Sequence, residues 1–148
     1  MKLHIQDVIS YQGRDFIVQG VLSYKLAGKS YQLARAVDGN DVRFIEPLMD
    51  DLDDRLLVLA EVPNLPVGTP PPATISYKGG SYMPRLQGAT TMAIAGAVPG
   101  RTAGACEVWR YRASGDVFLQ IEKWSDRTVF LAGESVHKDM VQITPAAP

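Results

Sequence analysis

Asp50, Asp51, Asp53 and Asp54 crowd one short stretch of the chain, and clustered carboxylate oxygens are the ligands that hard cations such as calcium prefer. Their spacing lacks the alternation, the central glycine and the closing glutamate of an EF-hand loop, so a solvated turn is the expected reading and a metal site the weaker one. Other groups able to do chemistry are sparse. His4 and His137 stand near opposite ends of the sequence, and Cys106 has no base beside it in sequence to hold a thiolate ready. No cysteine or histidine spacing suits zinc. The segment Gly96-Ala97-Val98-Pro99-Gly100-Arg101-Thr102 has glycines, but neither the spacing nor the lysine of a phosphate-binding loop. No nucleophile, base and orienting group can be named together, so the sequence predicts a non-enzymatic protein with no catalytic residues and no cofactor.

Binding chemistry is better represented. Ala89 to Ala105 is a run of small residues, glycines and a proline, longer than the matching interval Val21 to Ser30 earlier in the chain. It predicts a loop or a weak strand pair, with Arg101 as a charged anchor for a protein partner. Trp109, Tyr111, Trp124 and Phe130 supply the aromatic content of the second half. Core is the expected reading, and a ligand cavity or contact patch built on Trp109, Tyr111 and Trp124 is the alternative. Strand alternation puts Trp109 and Tyr111 on one face and Val108 and Arg110 on the other, so both aromatics are inside or both are outside.

The elements that position these residues are strands. Apolar residues come in short runs rich in Val, Ile, Phe and Tyr, punctuated by Gln12-Gly13, Ala27-Gly28, Asp38-Gly39-Asn40, Lys78-Gly79-Gly80 and Ser114-Gly115-Asp116, all of which tolerate positive φ. In Val117-Phe118-Leu119-Gln120-Ile121-Glu122 the alternation predicts a half-buried strand, with Gln120 and Glu122 on the face away from Val117, Leu119 and Ile121. The pattern also repeats. Ile9-Ser10-Tyr11-Gln12-Gly13 returns as Ile75-Ser76-Tyr77-Lys78-Gly79, Phe16 returns as Tyr82, Glu46 as Glu122, and Asp54-Arg55 with Leu59-Ala60 as Asp126-Arg127 with Leu131-Ala132. Pro47 to Val62 alone reads as a helix, with Leu48, Leu52, Leu56 and Leu59 as its stripe. Its counterpart, Asp126 to Gly133, is β-branched and aromatic, so Arg55 to Val62 is expected to be a strand apolar on both faces, with Asp50 to Asp54 the turn before it.

The sequence thus predicts an all-β single domain over residues 1–148. Two antiparallel meanders, 1–62 and 73–148, pack as a pseudo-twofold β-sandwich or barrel, joined by a stiff, extended proline-rich linker at 63–72. At 148 residues and 46% hydrophobic content the chain can bury one sizeable core. Lysine plus arginine number 15 against 16 acidic residues, which argues against nucleic acid. The N-terminal residues turn polar early, no apolar stretch reaches the length of a membrane span, and the single cysteine suits a reducing compartment, so a cytoplasmic chain without membrane insertion is expected.

The two Ser-Tyr-x-Gly turns, the strand Tyr31-x-Leu33, the aromatic strand Trp109-x-Tyr111 and Ile121-Glu122-x-Trp124 together give a resemblance over nearly the whole chain. They resemble the domain-of-unknown-function 4178 family of bacterial proteins. Members commonly carry a Trp-x-Glu-Tyr-x-Leu strand, which here reads Lys29-Ser30-Tyr31-Gln32-Leu33, without the tryptophan or the glutamate. The resemblance supplies no catalytic residues. The setting of such genes, near membrane-stress proteins, polyamine-synthase-like enzymes and small membrane proteins, implies an accessory or adaptor role. The expected function is a protein-binding or adaptor module, with a small apolar ligand in a central barrel pocket as the alternative.

Overall fold

A computed structural model describes residues 2–49, 52–65 and 67–147. The described residues form eleven strands, β1 (Val8–Tyr11), β2 (Arg14–Leu26), β3 (Lys29–Asp38), β4 (Asp41–Met49), β5 (Leu52–Val62), β6 (Ile75–Tyr77), β7 (Gly80–Gly96), β8 (Gly104–Ala113), β9 (Val117–Lys123), β10 (Thr128–His137) and β11 (Val141–Thr144). A short 3-10 turn, Lys138–Met140, precedes the last strand. All pairings are antiparallel, in the order β11-β1-β2-β3-β4-β5-β10-β9-β8-β7-β6, and β2 also pairs with β7. That last pairing closes eight strands into a barrel, the closed form of the sandwich-or-barrel expectation, leaving β1, β11 and β6 outside it. Among the described residues no helix is long and apolar enough to cross a membrane.

Turn chemistry explains the short connections. Gln12-Gly13, Ala27-Gly28 and Lys78-Gly79 each place two consecutive residues at positive φ, the geometry of a two-residue hairpin whose twist matches that of its strands. The two hairpins that open the halves share their register, with Ile9 opposite Phe16 in β1–β2 and Ile75 opposite Tyr82 in β6–β7. Arg55 to Val62 is strand, as its β-branched counterpart predicts: Leu57 and Leu59 of β5 face the lumen while Leu56 and Val58 face outward. Of the turn expected at Asp50 to Asp54, Asp53 and Asp54 belong instead to β5, which begins at Leu52, and Asp50 and Asp51 lie outside the described residues. Gly133 allows β10 to close against β5, since a Cβ there would stand 1.9 Å from the carbonyl oxygen of Val58.

Three apolar clusters result. The lumen holds Leu22, Leu33, Phe44, Leu57, Leu59, Met92, Val108, Phe118, Trp124 and Leu131 among others. Outside the wall, β1 and the N-terminal segment cover Phe16, Val18, Ala34, Ala36, Ile45 and Leu56. On the other outer face, β6 and the linker cover Trp109, Tyr111, Leu119 and Ile121, with Leu65 of the linker only 1% exposed. The linker therefore seals a core as well as spanning the halves, and the Tyr111 hydroxyl donates to the Pro72 carbonyl at 2.7 Å.

Trp109 and Tyr111 share a face, as alternation requires, and that face is the sealed outer one. Replacing Trp109, 3% exposed, with alanine is expected to destabilise the fold by about 3–5 kcal/mol in urea titration. A change within about 0.5 kcal/mol would place it outside the core.

Candidate functional site

The barrel interior carries charge. β8 turns Arg110 inward beside Val108, β4 turns Glu46 inward beyond Phe44, and β9 turns Gln120 and Glu122 inward beyond Phe118. This corrects the half-buried reading of β9. Gln120 and Glu122 are each 0% exposed, because the face opposite Leu119 and Ile121 looks into the lumen and not into water.

The buried groups satisfy one another. Arg110 grips Glu46 with both ends of its fork, Nη1 to Oε2 and Nη2 to Oε1, each at 2.8 Å. Its Nε and Nη2 donate to Oε1 of Gln120 at 2.9 and 2.6 Å, and Nη2 also lies 2.8 Å from the Tyr24 hydroxyl. That hydroxyl donates to Glu46 Oε1 at 3.0 Å. Gln120 carries the chain onward, donating from Nε2 to Glu122 Oε2 at 2.8 Å, while Trp124 Nε1 donates to Oε1 at 3.2 Å. Bidentate, charge-assisted geometry is what offsets the cost of burying an ion pair. Burial works against the Arg110 charge, yet the Glu46 carboxylate outweighs it and holds the guanidinium protonated. Burial pushes the Tyr24 phenol well above its usual range, against a lowering by Arg110, so it remains a hydroxyl. The Arg110–Glu46–Gln120–Tyr24 network ties β2, β4, β8 and β9 together across the lumen.

Arg101, expected as the charged anchor of a partner surface, is buried. Its side chain is 2% exposed, its guanidinium lies 4.9 Å from the Phe44 ring centroid, Nε reaches Glu122 at 3.4 Å and Nη1 reaches Glu61 at 3.6 Å. Glu122, Glu61 and the face of the Phe44 ring hold the cation there against the cost of burial, and the loop between β7 and β8 closes over the lumen with it. Its Nη2 is buried without a hydrogen-bond partner. The rest of Ala89 to Ala105 is largely strand: β7 runs through Gly96 and pairs with β8 up to Met92 opposite Gly104.

The other candidates are dispersed. Asp50 and Asp51 lie outside the described residues, as does the side chain of Asp53, while Asp54 is exposed and pairs with His137 Nε2 at 3.4 Å. Among the described residues no cluster of His, Cys, Asp and Glu could hold a metal ion. His4 faces Asp7 at 3.8 Å. Cys106 is buried in the lumen with its thiol pushed up to about 12, chiefly by burial and then by the charge of Glu122. Native Cys106 is therefore expected to react with a thiol reagent at about pH 8 roughly a thousandfold more slowly than the unfolded chain. Equal rates would mean that the lumen opens to solvent.

A large opening lies where the barrel wall splits. The β2–β7 ladder runs only from Gly20 opposite Gly96 to Ser23 opposite Ala93. Beyond it β2 continues to Leu26 paired with β3 alone, and β7 from Met83 to Met92 is paired with β8 alone. At Lys25 the backbone N–H donates to the Thr90 side-chain hydroxyl at 3.0 Å, where a ladder bond would otherwise stand. A groove of about 970 Å³ occupies the split. Ser23, Lys25, Ser30 and Gln32 line one side with Lys2, and Ala89, Thr90 and Thr91 line the other. Tyr24 and Glu46 bring the lumen network to its floor, and Tyr31 stacks on Tyr24 with ring centroids 5.4 Å apart. Sequence reasoning missed this groove because it read Ala89 to Ala105 as a loop or a weak strand pair and had no signal that β7 runs to Gly96 beside β2. Of the four predicted contact residues, Trp109 and Tyr111 lie under the linker, and Trp124 and Arg101 lie in and over the lumen.

No curated protein and no solved structure gives a significant match to the chain. A model of the family described as a domain of unknown function (DUF4178) matches residues 4–138 of the 148. The turns and aromatic strands that suggested this family lie inside the matched stretch, and the chain belongs to the DUF4178 family.

Proposed function

We propose that this chain is a non-enzymatic protein-binding module that takes up an extended segment of a partner in the split between β2 and β7. The observation that carries this reading is the end of the β2–β7 ladder at Ser23 and Ala93 while both strands run on. Because Lys25 turns its N–H toward β7, Ser23 and its opposite number Ala93 also face the seam, and so do Thr91 and Ala89, two and four residues back along β7. The N–H and C=O groups of Thr91 and Ala89, which lie beyond the last ladder pair Ser23–Ala93, form an edge of the kind that accepts an added strand. A lumen filled by side chains favours this reading over a central pocket for an apolar ligand. The adaptor role and its membrane-stress setting rest on the family resemblance alone.

A second reading, a small molecule in the same groove, draws on the stacked Tyr24 and Tyr31 rings at its inner wall. Hydrogen exchange after gentle crosslinking and co-purification from cells separates the two. A protein partner that slows exchange at the amides of Ala89 and Thr91 supports strand addition. Exchange unchanged by every co-purified protein, with a thermal shift from a metabolite, would replace it by the second reading.

A further inference from the structure

We propose that the segment taken up in the split seam is acidic on one face and apolar on the other, an alternation of carboxylates with aliphatic residues. This rests on the strand-addition reading and says what the added strand is. Successive side chains of an added strand point to opposite sides of the wall. On the inner side they would meet the stacked rings of Tyr24 and Tyr31, backed by the lumen cluster. On the outer side they would meet Lys2 and Lys25, both exposed, with Ser23 and Gln32 beside them.

Charge decides the occupant. Among the described residues the only carboxylate lining the groove is Glu46, and both of its oxygens already accept from Arg110, with one also taking the Tyr24 hydroxyl. It has no capacity to neutralise the lysines, so the groove is locally positive on a chain whose net charge is −1. A second copy of this chain fits poorly, because twofold pairing along β7 would bring the Lys2 and Lys25 pairs of both copies to one seam. A basic or neutral strand would leave the two ammonium groups without partners, whereas carboxylates two residues apart would stand on the side that faces them.

The test uses the full chain and short fluorescent peptides that alternate valine with aspartate, with asparagine or with lysine. Anisotropy gives affinity, and hydrogen exchange at Ala89 and Thr91 reports whether the edge is covered. The aspartate peptide is expected to bind roughly tenfold more tightly than the asparagine peptide, to lose that margin as salt is raised, and to slow exchange at the edge. Lys2→Glu with Lys25→Glu, both surface changes, should remove the aspartate margin and favour the lysine peptide instead. Equal binding of aspartate and asparagine peptides, both covering the edge, would overturn the acidic assignment and leave strand addition standing. If no peptide covers the edge, or if it is already covered by self-association of the chain, both are overturned.

Discussion

Arg110→Met is expected to destabilise the protein by about 3–5 kcal/mol, a large share of the roughly 5–15 kcal/mol by which domains of this kind are stable. The size follows from what the arginine leaves behind. Glu46 is 2% exposed and would keep only the Tyr24 hydroxyl as a donor, in a lumen otherwise lined by leucine, phenylalanine and tyrosine. Gln120 Oε1 would lose both of its donors. Methionine fills much of the vacated volume, so the loss is mainly that of stranded polar groups and not of packing. The paired substitution Arg110→Met with Glu46→Leu removes the stranded carboxylate, and it should recover most of the loss, since a buried ion pair and an apolar pair of similar volume often differ little. Urea midpoints at unchanged m-value measure both. A single variant within about 0.5 kcal/mol of the parent would show that solvent reaches Glu46 and that the network is not dry.

Much of the fold can be read from residue types, and the places where reading fails share one cause. Hairpins are legible because Gln12-Gly13, Ala27-Gly28 and Lys78-Gly79 encode local backbone geometry. β5 is legible only through comparison with β10, since its leucines satisfy a helical stripe as well as a two-faced strand. Gln120 and Glu122 mislead because alternation identifies two faces but not which one meets water, and in a closed barrel neither need do so. The signal that could have exposed the network was present: Glu46 and Glu122 stand at matching places in apolar strands, with Arg110 alternating with Val108 between them. Charges repeated inside apolar strands must find one another. Arg101 misleads for a related reason, because a charged residue among glycines looks exposed until a buried Glu122 and the Phe44 ring are brought to it by distant strands. The groove is the least legible feature, as it depends on where a ladder between β2 and β7 stops, and that is set by register and not by composition.

Neither fragment 1–64 nor fragment 72–148 is expected to show a cooperative thermal transition. The barrel closes at two seams, β2 with β7 and β5 with β10, and each seam joins one half to the other, so either fragment loses both. The lumen cluster is divided in the same way: Leu22, Leu33, Phe44, Leu57 and Leu59 come from the first half, Met92, Val108, Phe118, Trp124 and Leu131 from the second. Neither set has a partner surface without the other, and fragments of this length are near the size at which one core is marginal. Polar groups make the outcome sharper, because Glu46 parts from Arg110 in the cut and each would otherwise sit unpaired against apolar neighbours. The outer cores do not rescue the halves. β11, from the second half, pairs with β1, and Leu65 of the linker packs against Trp109 and Ile121. Since both fragments omit Leu65, a second division into 1–71 and 72–148 controls for its absence, and there too Leu65 would be exposed for want of the β8–β9 face. Far-UV and near-UV circular dichroism during heating decide the matter. A sigmoidal loss of near-UV signal from any of these fragments would mean that one half folds alone, and the single shared core would have to be given up.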